Sequence, residues 1–146
     1  MKRFQYISFL AILSMAIVSF SSCFQYPEGP IFTMQLPDER LKGSWLITGF
    51  TDASGNDLMS EHQNQTLVAD YSHGGDRSWA EFKNNQLDRS GTYLFASHSD
   101  NIIVTFDFYD GSQKTPVQYF YTIRKLTDKE FKYIDDQGNT LTLRKY

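Results

Sequence analysis

The chain has one cysteine, Cys23, among 146 residues. A single thiol excludes an intramolecular disulfide, so the fold has to be held by its core. There is no excess of basic charge either: 14 Lys and Arg stand against 17 Asp and Glu. No Lys/Arg cluster is visible, which argues against nucleic acid as a partner and against electrostatic docking on anionic lipid. Metal-ligand spacings are lacking. His62, His73 and His98 fall in predicted loops with no two at a ligand spacing, and His73-Gly74-Gly75-Asp76 reads as a solvated loop. No metal and no other cofactor is expected. Catalytic signatures are missing too: there is no Gly-x-Ser-x-Gly, no activated thiol and no phosphate loop. Asp107, Asp110, Asp128, Asp135 and Asp136 sit at predicted turns, where Asp serves local backbone donors. These absences lead us to expect a protein that is not an enzyme.

Long apolar runs are scarce, with one exception at the start. Lys2 and Arg3 form a positive region, and Phe4 to Phe20 is a 17-residue run without charge. Ser21-Ser22-Cys23 follows. The order charge, apolar run, small residues is that of a bacterial secretory signal. The run is at the bottom of the length needed to span a bilayer, so an uncut anchor is the competing reading. Ser21-Ser22-Cys23 resembles the looser lipobox of Bacteroidetes-type bacteria, with Phe20 where Leu is more usual. That resemblance implies a signal peptide over residues 1–22 and acylation of Cys23, as by palmitate. It also accounts for a lone cysteine at this place.

Removal of residues 1–22 leaves 124 residues with a net charge of −5, enough for a single core. Residues 23–40 contain Pro27, Gly29, Pro30 and Pro37, which predicts an extended tether of up to about 55–60 Å. No aspartate follows Cys23, and only Glu28 is acidic nearby. The expected location is therefore the bacterial outer membrane, lipid-anchored, on its periplasmic face.

From Leu41 to Tyr146 the chain reads as eight short strands separated by turn residues. We place them at Ser44–Thr51, Asn64–Tyr71, Ser78–Lys83, Leu87–Ser97, Asn101–Tyr109, Thr115–Leu126, Glu130–Asp135 and Thr140–Lys145. Gly74-Gly75, Asn84-Asn85, Asp110-Gly111 and Asp136-Gln137-Gly138-Asn139 supply turn chemistry. Alternation is clear in the later strands. Ile102, Val104, Phe106 and Phe108 share a face, as do Val117, Tyr119, Tyr121 and Ile123, and as do Leu141 and Leu143. No helix longer than a turn is predicted. The expected fold class is all-β: an antiparallel up-and-down meander forming an eight-stranded barrel or half-open barrel over residues 41–146.

Leu41-Lys42-Gly43-Ser44-Trp45-Leu46 resembles the Gly-x-Trp opening of lipocalins. Gly91-Thr92-Tyr93, and the segment from Tyr121-Thr122-Ile123-Arg124-Lys125-Leu126-Thr127 to Tyr146, resemble motifs of the small lipocalin-like lipoproteins of Bacteroidetes. The resemblance implies that Trp45 plugs a closed barrel end beneath a basic residue, Arg124 or Arg144. The chain lacks the C-terminal helix and disulfides of full lipocalins. Aromatic residues make up 16% of the chain, and an eight-stranded barrel is just wide enough to be filled or to hold one small ligand. The candidate ligand-binding residues are Tyr93, Phe95, Phe106, Phe108, Tyr119 and Tyr121. The expected function is a membrane-tethered lipoprotein whose barrel holds a small hydrophobic ligand. The alternative is a protein-binding envelope lipoprotein, such as a protease inhibitor or an assembly subunit, using the loops Asp52–Gln63 and Ser72–Arg77.

Overall fold

The computed structural model describes residues 26–29, 33–72, 74–110 and 112–146. The expected signal peptide over residues 1–22 and the expected lipidation site Cys23 lie outside the described residues. A short helix, α1 (Pro37–Leu41), precedes eight strands: β1 (Gly43–Thr51), β2 (Gln65–Tyr71), β3 (Arg77–Lys83), β4 (Gln86–Ala96), β5 (Asn101–Asp110), β6 (Gln113–Leu126), β7 (Glu130–Ile134) and β8 (Thr140–Lys145). Each strand pairs antiparallel with its sequence neighbours, and β8 returns to β1, so the barrel is closed rather than half-open. Closure gives every strand a partner on both sides, so that free edges are left only where β5 and β6 run past their other neighbours.

Local chemistry explains the turns. Asn84 and Asn85 both adopt positive φ, 53° and 63°, as a two-residue hairpin turn between β3 and β4 requires. Two loops repeat the pattern Asp-x-x-Gly-Asn. The Asp52 carboxylate accepts from the backbone N–H of Ser54 and Asn56 and from Asn56 Nδ2, all at 2.8 Å. Asp135 does the same for Gln137, Asn139 and Asn139 Nδ2. In each loop the glycine is left-handed, Gly55 at φ +90° and Gly138 at φ +85°.

Three bulges re-aim the alternation. The registers shift at Thr48 in β1, at Asp88 in β4 and at Arg124 in β6. Trp45 and Ile47 point inward; the extra residue Thr48 then brings Phe50 inward instead of Gly49. Tyr121 and Ile123 point inward; the extra residue Arg124 brings Leu126 inward instead of Lys125. The bulge at Asp88 leaves Leu87 facing solvent.

The core fills the half of the barrel toward β1's start. Trp45 is fully buried, its Nε1–H donates to the Leu41 carbonyl at 2.7 Å, and its ring meets Phe131 edge-on. The basic residue over Trp45 is neither Arg124 nor Arg144, as the resemblance implied, but Lys145. Its Nζ lies 4.8 Å from the ring centroid and donates to the Arg40 and Lys42 carbonyls. Alternation decides this, because Lys145 shares the inward side with Leu143 while Arg144 is exposed. Arg124, as the bulged residue, turns out to Glu28 at 3.6 Å.

The stretch expected to be an extended tether is not free along its length. Tyr26 is buried, and the Arg40 guanidinium sits 5.2 Å from its ring centroid while donating to the Leu126 carbonyl at 2.7 Å. The Glu28 N–H donates to the carbonyl of bulged Arg124. Helix α1 was not expected either. Pro37 opens it, and Asp38 in its first turn receives both Arg77 Nε and Nη2, at 2.8 and 2.9 Å, and the Tyr93 hydroxyl at 3.0 Å. These long-range bonds, not helix propensity, hold five residues helical.

The buried tyrosines set an alkaline limit on stability. Burial pushes the Tyr26 phenol from 10.0 up to about 12, and it also raises Tyr93, Tyr121 and Tyr133. A raised folded-state value means that stability is fully present below the unfolded value and is lost as pH climbs through the folded value. Stability is therefore expected to fall from pH 10 upward. The check is tyrosinate ultraviolet absorbance against pH: cooperative unfolding with late ionisation is expected, and simple titration of all tyrosines near the unfolded value would contradict it.

Candidate functional site

The strand directions bring the loops after β1, β3, β5 and β7 together at one end of the barrel. That end is open. A cavity of about 470 Å³ runs inward from it. One wall is apolar, with Ile47, Phe50, Leu58, Leu67, Leu141 and Leu143. The loop after β1 folds over the rim: His62 stacks on Phe50 with ring centroids 3.8 Å apart, and its Nδ1 lies 3.0 Å from Gln65 Oε1. Beside Leu141, its cross-strand partner Tyr133 on β7 continues the lining, followed by Tyr121 and Tyr119 on β6.

Charge also faces inward. Glu81 of β3 and Arg89 of β4 lie in the cavity wall, paired across the two strands with Arg89 Nε 2.8 Å from Glu81 Oε2. Trp79 Nε1 donates to the other oxygen, Glu81 Oε1, at 2.9 Å. The guanidinium lies over two aromatic faces, 4.4 Å from the Phe106 centroid and 5.1 Å from that of Tyr119. Burial opposes the Arg89 charge, but Glu81 together with Tyr121 and Tyr119 outweighs it and raises the guanidinium above its ordinary value. The pair is a rigid, internally neutral polar group inside an otherwise mixed wall.

The sequence-predicted residues separate. Tyr119 and Tyr121 line the cavity. The other four do not. Phe106 is buried beneath Arg89, and Tyr93 turns its hydroxyl to Asp38 at the closed end. Phe95 packs on Tyr93 in the closed half. Phe108 has the inward parity, but β5 pairs with β4 only as far as Phe106, so Phe108 stands beyond the barrel wall, 45% exposed. Trp45 lies at the closed end, as described above. Glu81 and Arg89 were missed. The signal was present in the alternation, since Glu81 shares a face with Trp79 and Arg89 with Tyr93.

Among the described residues there is no group of three or more His, Cys, Asp or Glu able to hold a metal, and no helix long and apolar enough to cross a membrane.

An eight-stranded, antiparallel, up-and-down closed barrel with a Trp-plugged end and an open end is a lipocalin-like architecture. No protein-family model matches the chain, and no curated protein matches it. Among solved structures, it is similar to a lipocalin-like protein from Bacteroides uniformis, at 15% identity and a TM-score of 0.49, over 73% of this chain and 99% of that one. It is also similar to a protein from Burkholderia xenovorans, at 16% identity and a TM-score of 0.44, over 83% of this chain and 97% of that one.

Proposed function

We propose that this protein is a binding protein, not an enzyme, and that its barrel holds one small, largely apolar ligand through the open end. The observation that carries this is the cavity of about 470 Å³. Its volume is within the range of small-molecule sites, about 300–1,000 Å³, and it combines an apolar wall with a few fixed polar groups. Affinity would come from apolar surface removed from water against Leu67, Leu141, Leu143 and the tyrosines, at about 25 cal/mol per Å² before association costs. In the same proposal, acylated Cys23 tethers the barrel to the periplasmic face of a bacterial outer membrane.

A second reading, protein docking, has one observation in its favour. Residues 107–110 of β5 and 113–116 of β6 pair only with each other and project past the barrel wall as a two-stranded ribbon. Phe108, Tyr109 and, at the ribbon's base, Phe120 are exposed by 45%, 71% and 53%. Such a surface suits a protein partner better than water.

Native mass spectrometry on protein purified gently from envelope extract tests the two. A reproducible added mass that leaves on denaturation is the expected result. A bare mass, together with failure of neutral apolar dyes to bind, would overturn the ligand reading and favour the ribbon. The lipid anchor is checked in the same spectrum by the mass of acyl chains on Cys23.

A further inference from the structure

Resting on the ligand reading above, we infer that Glu81 sets the charge preference of the cavity: it neutralises Arg89 and so selects ligands with an uncharged, carbonyl-containing head over carboxylates. The geometry divides the guanidinium in two. Nε is committed to Glu81, and among the described residues the terminal nitrogens have no hydrogen-bond partner. Arg89 is only partly exposed, at 32%, and lines the cavity, so its remaining N–H groups are available to an acceptor on a ligand. The Phe106 and Tyr119 faces, and the Trp79–Glu81–Arg89 relay, hold it in place.

The sign of the field decides which acceptor is favoured. The ionised groups lining the cavity are Glu81, Asp88, Asp135 and Asp136 against Lys83 and Arg89. A carboxylate would enter a net negative mouth and find its cation already paired. A neutral amide meets neither penalty. Its carbonyl accepts from Arg89, and its N–H has the Glu81 carboxylate beside it as an acceptor. An Arg on an inner wall would by itself suggest an anion site; the partner at 2.8 Å reverses that reading.

Octanamide and octanoate are a matched pair of probes, titrated by calorimetry into the purified protein at neutral pH. Octanamide is expected to bind about tenfold tighter, a difference of about 1.4 kcal/mol. In Glu81→Gln the acceptor for Trp79 is kept and the charge is removed. The octanoate-to-octanamide affinity ratio is then expected to rise about tenfold or more, because Arg89 becomes an unpaired cation. Equal or tighter binding of octanoate to the wild type would overturn the inference and leave the ligand reading intact, as would a ratio unmoved by Glu81→Gln. Binding of neither probe would remove the inference, while the mass spectrum decides the ligand reading separately. Should Glu81→Gln fail to fold, Arg89→Gln supplies the second test: it is expected to weaken octanamide about tenfold, and unchanged octanamide binding would overturn the inference.

Discussion

Trp45→Ala is expected to destabilise the fold by about 3–5 kcal/mol, the range for truncating a fully buried aromatic. Three losses combine at one site. The indole leaves a cavity against Phe131 at the closed end. The Leu41 carbonyl loses the N–H that donates to it at 2.7 Å. Lys145, whose ammonium is held below its ordinary value by burial, loses the aromatic face beneath it. Such a partly desolvated cation without its neighbour is costly. Urea denaturation with a two-state fit measures the loss, and a change under about 1 kcal/mol would show that Trp45 does not plug the barrel. Trp45→Phe, which keeps most of the volume but not the N–H, should fall between the two. The contrast separates packing from the hydrogen bond.

The second large effect is expected at Gly91. A Cβ placed there would overlap the Thr105 carbonyl oxygen and lie 3.1 Å from Phe106 Cα, both backbone atoms of β5. Neither can rotate away as a side chain would. Gly91→Ala must therefore push β4 off β5 where the two strands part, at the last pair Gly91–Phe106. The expected cost is about 3 kcal/mol or more, at the upper end of overpacking. Gly74→Ala is the control: its nearest atom is a side-chain oxygen at 3.8 Å, and the change should stay within about 0.5 kcal/mol. Thermal and urea unfolding of both variants check the pair. Equal stability of Gly91→Ala and wild type would mean that the close approach is not part of the folded state. The position also bears on the site, because Arg89 is two residues away on the same strand, and a displaced β4 would loosen the Glu81–Arg89 pair.

The strand count and most strand limits were legible in the sequence because period-two alternation and turn chemistry are local properties. Ile102, Val104 and Phe106 face inward as the alternation requires, and Asn84-Asn85 turns where two left-handed residues are needed. The aspartates read as turn residues include Asp135, whose carboxylate is consumed by its own loop. The helix α1 was not legible, since five residues carry too little periodicity and their partners, Arg77 and Tyr93, lie 39 and 55 residues away. The site was half legible. Aromatic content pointed to an aromatic wall, but not to which aromatics lie at the open end and which at the closed one. Phe108 shows the limit: its parity is inward, yet the wall ends before it does.

By itself, the sequence determined that residues 41–146 are an all-β meander of eight strands without disulfides, with a tryptophan at the head of the first strand. These follow from side-chain alternation, turn residues and composition, which act within a few residues of each other. Only the tertiary structure decided that the barrel closes, that Lys145 rather than Arg124 or Arg144 covers Trp45, and that Glu81 and Arg89 meet inside the cavity. It also decided, through single-residue bulges at Thr48 and Arg124, that Phe50 and Leu126 turn inward. A bulge shifts everything beyond it by one residue, and its position is set by how neighbouring strands register around the closed barrel, a constraint that no stretch of chain carries alone.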